Sequence, residues 1–138
     1  MIKKTQYRTF NRLVIYSGDD SVDPEKAHAY RLAGNPDSYH GYLLPDAAPP
    51  TVFRIRSLSK RERLSVGYSV ALAQSEQRFG ELAGICLDVC RMCLKGEPSL
   101  DGTPGMTADE LADSCMMAIL ELGMLIFTES SMQESLKN

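Results

Sequence analysis

Two short segments, Ser59-Lys-Arg-Glu62 and Thr107-Ala-Asp-Glu110, constrain this chain more than anything else in it. Each has the capping-box spacing, in which a hydroxyl and a carboxylate three residues apart satisfy each other's free backbone N–H at a helix start. Each also opens an apolar stripe. From Leu64, steps of about 3.6 residues fall on or beside Tyr68, Ala71, Ser75, Phe79, Leu82, Cys86, Val89 and Cys93. Gly80 and Gly84 weaken a helix without breaking that phase, so the reading is one long helix over 59–94, kinked at most. Three glycines and two prolines between Lys95 and Gly105 end it. Behind the second box, Leu111, Cys115, Ala118, Leu122 and Leu125 predict a helix over 108–127, antiparallel to the first, with a short polar helix restarting at Thr128 or Ser131.

The region before Ser59 is less regular. Thr9–Tyr16 ends in a β-rich run halted by Ser17-Gly18-Asp19-Asp20. Asp23-Pro24-Glu25 has a cap followed by proline at the first helical position, and the two turns it starts end near Gly34 and Asn35-Pro36. Residues 35–50 hold four prolines and no period. In Thr51–Leu58, Phe53 and Ile55 alternate with Arg54 and Arg56, the pattern of a half-buried strand. The expected fold is mainly α: a helical bundle or hairpin over 51–138, preceded by a short β element and an irregular arm or small subdomain over 1–50. With 138 residues, the chain can bury a core without disulfides or metals.

Cys86, Cys90 and Cys93 have the spacing C-x3-C-x2-C, which invites an iron–sulfur reading. Cluster-binding cysteines of that spacing wrap their cluster from an irregular loop. Here the stripe itself predicts Cys86 and Cys93 on a helix, with Cys90 one turn from Cys86, and free cysteine packs as a small hydrophobe. Zinc would need tetrahedral bonds of about 2.3 Å, which cysteines two turns apart strain to supply. His28 and His40 lie in the arm without ligand spacing. Buried packing is therefore the expectation, with no metal and no cofactor.

Other chemistry is equally sparse. The chain has no G-x-x-x-x-G-K-[ST], G-x-G-x-x-G or H-E-x-x-H, and Gly102-Thr-Pro-Gly105 lacks the lysine of a phosphate loop. His28 with Asp23 or Ser38 reads as a surface histidine near a polar loop, so no enzymatic activity is expected. The basic run Arg54, Arg56, Lys60, Arg61, Arg63 could face phosphates, yet the net charge is −3 and no aromatics interleave it; no nucleic-acid partner is expected. The polarity is lopsided: residues 1–95 carry fourteen Lys/Arg against ten Asp/Glu, and residues 96–138 one against eight. That suits contacts between copies, a partner with opposite patches, or simple segregation on solvated helix faces. No apolar run approaches the roughly 18 residues of a membrane span, and no cleavage site follows the basic N terminus; a cytosolic, membrane-free protein with reduced thiols is expected.

The order strand, Leu-Ser pair, capped amphipathic helix in TVFRIRSLSKRERLSVGYSVAL, with the closing ELGMLIFTESSMQESLKN, resembles phage tail assembly chaperones of long-tailed bacteriophages. The likeness is one of pattern over residues 51–138, and residues 1–50 depart from it. It implies a non-enzymatic viral protein of the host cytoplasm that binds an apolar helical partner, the tape measure or tail tube protein; acidic residues 96–138 and basic residues 1–63 of adjacent copies could then pair weakly along it. Met92, Met106, Met116, Met117 and Met124 supply adaptable apolar surface for such a partner, and read equally as core. Residues bordering the two stripes, Leu72, Phe79, Met116 and Leu120, are the expected anchors in a groove between the helices. The alternative is a structural component of the phage particle, a tail or head-completion protein held by its N-terminal arm.

Overall fold

The computed structural model describes residues 9–33, 38–78 and 80–135, with side chains as far as Ser131. Phe79 and the expected helix stop at Gly34–Pro36 lie outside the described residues. The fold is mainly α with a small antiparallel sheet. In chain order come β1 (Asn11–Ile15), α1 (Pro24–Leu32), β2 (Val52–Arg56), α2 (Lys60–Ser75), α3 (Gly80–Cys93), β3 (Leu94–Gly96), α4 (Ala108–Ser114) and α5 (Met116–Ser135). A single 3-10 turn, His40–Tyr42, interrupts the irregular stretch between α1 and β2.

The helix starts form as their sequences dictate. Ser59 Oγ accepts from Glu62 N at 3.2 Å, while Ser59 N donates to the Glu62 carboxylate at 2.8 Å. Thr107 and Glu110 make the same reciprocal pair, at 3.1 and 3.2 Å. Asp23 caps α1 by accepting from Glu25 N at 3.0 Å, with Pro24 opening the helix. Glu62 also meets Arg56 at 3.1 Å, and that hydrogen-bonded pair holds its carboxyl at about 2.

The expected long helix is two. α2 stops at Ser75 because Gln77 takes a left-handed backbone, φ 56°. Arg78 N then donates to Ala73 O at 2.8 Å and Gln77 N to Gln74 O at 3.2 Å. These are the two bonds of a Schellman helix stop, here with glutamine where glycine usually stands. The stripe loses its phase at that break. In α3 it holds, with Cys86, Val89 and Cys93 buried. In α2 it is reversed: Val66, Val70 and Ala73 face the core, and Leu64 and Tyr68 face solvent.

The second expected helix is also divided, at a different place. Cys115 has an extended backbone, φ −158° and ψ 93°, so α4 folds across α3 and β3 while α5 runs along α3. No break follows at Thr128 or Ser131. Ser130 and Ser131 bond their hydroxyls to Ile126 O and Phe127 O at 2.7 and 2.9 Å, one turn back, and the helix continues to Ser135.

α5 carries apolar residues on all sides from Met116 to Phe127, a composition that suits a helix surrounded by protein. α2, α3 and α4 pack on it, and the sheet joins the same core. The α3–α5 contact is unusually close: a Cβ on Gly123 would sit 2.8 Å from Cys86 Cβ and 2.9 Å from its Cα. Two carboxylates of α5, Glu121 within its apolar part and Glu129 just beyond it, hold β1 near its two ends. Glu129 meets Arg12, while Glu121 accepts from Ser17 N at 2.9 Å and from the Ser17 hydroxyl, with Arg31 Nε at 3.1 Å.

The sheet order is β1-β2-β3, antiparallel throughout, with Val14 beside Phe53 and Ile55 beside Leu94. Val14, Phe53 and Ile55 join the main core; Ile15 on the other face joins a second cluster with Val22 and Tyr30. Tyr30 Oη accepts from Ile15 N at 2.9 Å and donates to Ile15 O at 3.2 Å, which ties α1 to this edge strand. The third strand arises in the expected Gly/Pro linker. It is three residues long, and at the other edge Gly96 and Gly105 pack backbone to backbone, with no room for a Cβ on either.

Replacing Gly123 with alanine should destabilise the fold by about 1–3 kcal/mol in denaturant unfolding, because the added methyl drives α5 from the α3 backbone. Gly84 on the exposed side of α3 has nothing within 4 Å of a built Cβ, so Gly84→Ala should stabilise by about 1 kcal/mol. Equal shifts of one sign would contradict the described helix contact.

Candidate protein-binding surface

The cysteines that suggest a metal are part of the core. Cys86, Cys90 and Cys93 lie along α3, at most 3% exposed, with Cys86 and Cys90 against α5. The Cys90 thiol donates to Ile119 O at 3.7 Å, a contact of ordinary sulfur type. Burial pushes the Cys90 thiol up to about 12, with the neighbouring Cys86 and Cys93 adding to it. Burial likewise raises Cys93 to about 11 and lifts Cys86. Such thiols are poor ligands and poor nucleophiles, both of which need the thiolate. Among the described residues, no three His, Cys, Asp or Glu side chains are arranged to hold a metal ion.

The polar candidates are occupied by structural bonds. Asp23 caps α1, and Asp19 accepts from Ser21 N at 2.9 Å and Thr51 N at 3.2 Å. His28 lines a shallow hollow of about 480 Å³ with Asp19, Asp20 and Arg31. In the basic run, Arg54 pairs with Glu97 at 3.5 Å and Arg56 with Glu62 at 3.1 Å. A larger hollow of about 880 Å³ lies under the loop after β3, lined by Pro49, Pro50, Pro98 and Pro104 among others.

Apart from single exposed side chains such as Leu32, Leu44, Met92 and Leu100, the uncovered apolar surface gathers on two helices. On α5, Met116, Met117 and Met124 are 39%, 63% and 37% exposed. Met117 and Met124 border a cavity of about 440 Å³ that Leu120 and Tyr16 also line and that the Arg31–Glu121 ion pair closes at one end. Burial is the main cause that raises the Tyr16 phenol above its ordinary value. Here a helix rich in unbranched sulfur side chains offers a deformable apolar trough with one polar landmark. On α2, Leu64, Tyr68 and Leu72 form an outward row at every fourth position.

The expected anchors are thus divided. Met116 and Leu120 share α5, Leu72 belongs to the separate α2 row, and Phe79 lies outside the described residues. No groove opens between the two long helices, since Gly123 backs directly onto Cys86. Sequence reasoning assigned Leu64 and Tyr68 to the core and passed over Tyr16. The available signal was that α2 has two competing apolar rows, Leu64–Tyr68–Leu72 and Val66–Val70–Ala73, of which one packed face can take only one. Of the five methionines considered, Met106 packs on the core, and Met92, with the three on α5, is at least 37% exposed. No described helix is long and apolar enough to cross a membrane.

In the folded protein at pH 8, a thiol reagent should modify half-buried Cys115 first and reach Cys86, Cys90 and Cys93 only on unfolding. Because their folded pKa values lie above the ordinary 9.0, the stability these thiols contribute is full below pH 9. It should be lost as pH rises from 9 towards about 11 for Cys93 and about 12 for Cys90. Four equally fast thiols in the native state would contradict this. Compared with known proteins, the chain matches no family model, no curated protein and no solved structure.

Proposed function

We propose that this chain is a non-enzymatic tail assembly chaperone of a long-tailed bacteriophage. It acts in the host cytoplasm and holds an apolar helical segment of the tape measure protein. The observation that carries the reading is the methionine trough on α5: Met117, Met124 and Leu120 around Tyr16, ending at the Arg31–Glu121 pair. A chaperone for a long apolar helix must accept many different anchors at i, i+3, i+4 and i+7. Flexible thioether side chains re-pack for each at low cost. The ion pair gives the trough a polar end, where a side chain or backbone group of the bound helix finds a partner.

The structural-component reading rested on an arm that folds on a neighbour. Residues 9–33 and 38–50 instead lie on this chain's own sheet, through the β1–β2 pairing and the Tyr30 cluster, so that reading draws no support from them.

The test is co-expression with an aggregation-prone apolar fragment of a tape measure protein. The wild-type chain should keep the fragment soluble and elute with it. The Met117→Asp/Met124→Asp double variant, altered only at exposed positions, should remain folded by circular dichroism and lose at least roughly 30-fold in affinity. A fragment that stays insoluble with the wild-type chain, or that binds both proteins alike, would overturn the proposal.

A further inference from the structure

The α2 row is a different surface, with a different occupant. Leu64, Tyr68 and Leu72 are 56%, 72% and 37% exposed, while Val66, Val70 and Ala73 on the opposite side are buried. At 100° and 1.5 Å per residue the three form a stripe about 12 Å long that turns by only about 80°. Exposed Ser65 and Ala71 flank Tyr68, so little bulk stands between an approaching helix and the backbone. Charges mark the two ends. Arg61 precedes the stripe and has no ion-pair partner among the described residues; Glu76 follows it, with Arg78 at 2.5 Å.

Reversed end to end, this pattern maps onto itself. Leucine falls on leucine, tyrosine on tyrosine, and the end with Arg61 on the end with Glu76. That is the condition a two-fold, self-complementary interface imposes. We infer that α2 is a homodimerisation helix, on which a second copy of this chain docks antiparallel about a two-fold axis beside Tyr68. Leu64 then packs on the partner's Leu72, the two Tyr68 rings meet at the axis, and Arg61 lies on the same edge as the partner's Glu76 and within about 1.5 Å of its height. A parallel pair would set Arg61 against its own copy and Glu76 against its own copy, so the charges select the antiparallel arrangement. The inference does not rest on the chaperone proposal, because its readout is the oligomeric state of the chain alone.

Sedimentation equilibrium of the full chain across the micromolar range tests it. The wild type should be a dimer that weakens as salt rises. Tyr68→Lys, at an exposed position, should be a folded monomer. Arg61→Glu and Glu76→Arg should each weaken the dimer by roughly tenfold, since each places like charges together twice per dimer. The Arg61→Glu/Glu76→Arg double variant should recover to within about threefold of wild type, as restored complementarity requires. A wild-type chain that stays monomeric would overturn the inference and leave the stripe to a foreign helix. A dimer untouched by Tyr68→Lys, or charge variants whose losses add without recovery, would overturn it equally.

Discussion

The close contact between α3 and α5 sets the rest of the architecture. α5 is apolar around its whole circumference over three turns, so no single partner can shelter it. Gly123 lets it approach α3 to backbone distance, and that approach places Ile119, Leu122 and Ile126 into one core with Cys86, Val89 and Cys90. α4 and α2 also pack on α5, the sheet joins the same core, and Met116, Met117 and Met124 stay outside it. In this setting the three cysteines act as small apolar side chains at a tight helix crossing. A larger residue at Cys86 would meet the same obstruction as a side chain at Gly123.

Burial of α5 against the sheet brings two carboxylates with it, and their partners account for much of the N-terminal region. A buried carboxylate without a partner is costly. Glu129, whose carboxyl is raised mainly by its burial, is matched by Arg12; Glu121 is matched by Ser17 and Arg31. β1 is thereby fixed to α5 at both ends, and α1 is fixed in turn through Arg31 and through the Tyr30 hydroxyl on Ile15. The irregular stretch between α1 and β2 then covers the second face of the sheet with Tyr39, Tyr42 and Leu43.

Two of the apolar surfaces that this packing leaves outside are chemically distinct. The α5 trough is made of methionine and leucine beside an ion pair, a surface suited to variable apolar anchors. The α2 stripe is made of two leucines and a tyrosine between opposite charges, a surface suited to one fixed register. Two apolar surfaces on separate helices allow a protein to bind a long partner with one and a copy of itself with the other.

Whatever depends on neighbours within a turn or two was legible in the amino-acid order. Both capping boxes, the Asp23–Pro24 helix start, the alternation of Phe53 and Ile55 with two arginines, and the mainly helical class are of that kind. The buried side of α3 was legible too, because Cys86, Val89 and Cys93 repeat at helical spacing within one unbroken helix. Tertiary structure decided the remainder. Gln77 takes a left-handed conformation that no local preference of glutamine announces, and this ended the long helix and reversed the buried face of α2. Cys115 extends because α4 and α5 need different directions, a demand made by α3 and β3. Likewise β3 exists only because β2 offers it an edge. The candidate surfaces were legible as residues and not as places: Met116, Met117, Leu120 and Leu72 are ordinary apolar positions in a helix until α3 has claimed one side of α5 and the core has claimed Val66 and Val70. Periodicity states that a helix has an apolar face; only packing decides which of two such faces water is left to touch.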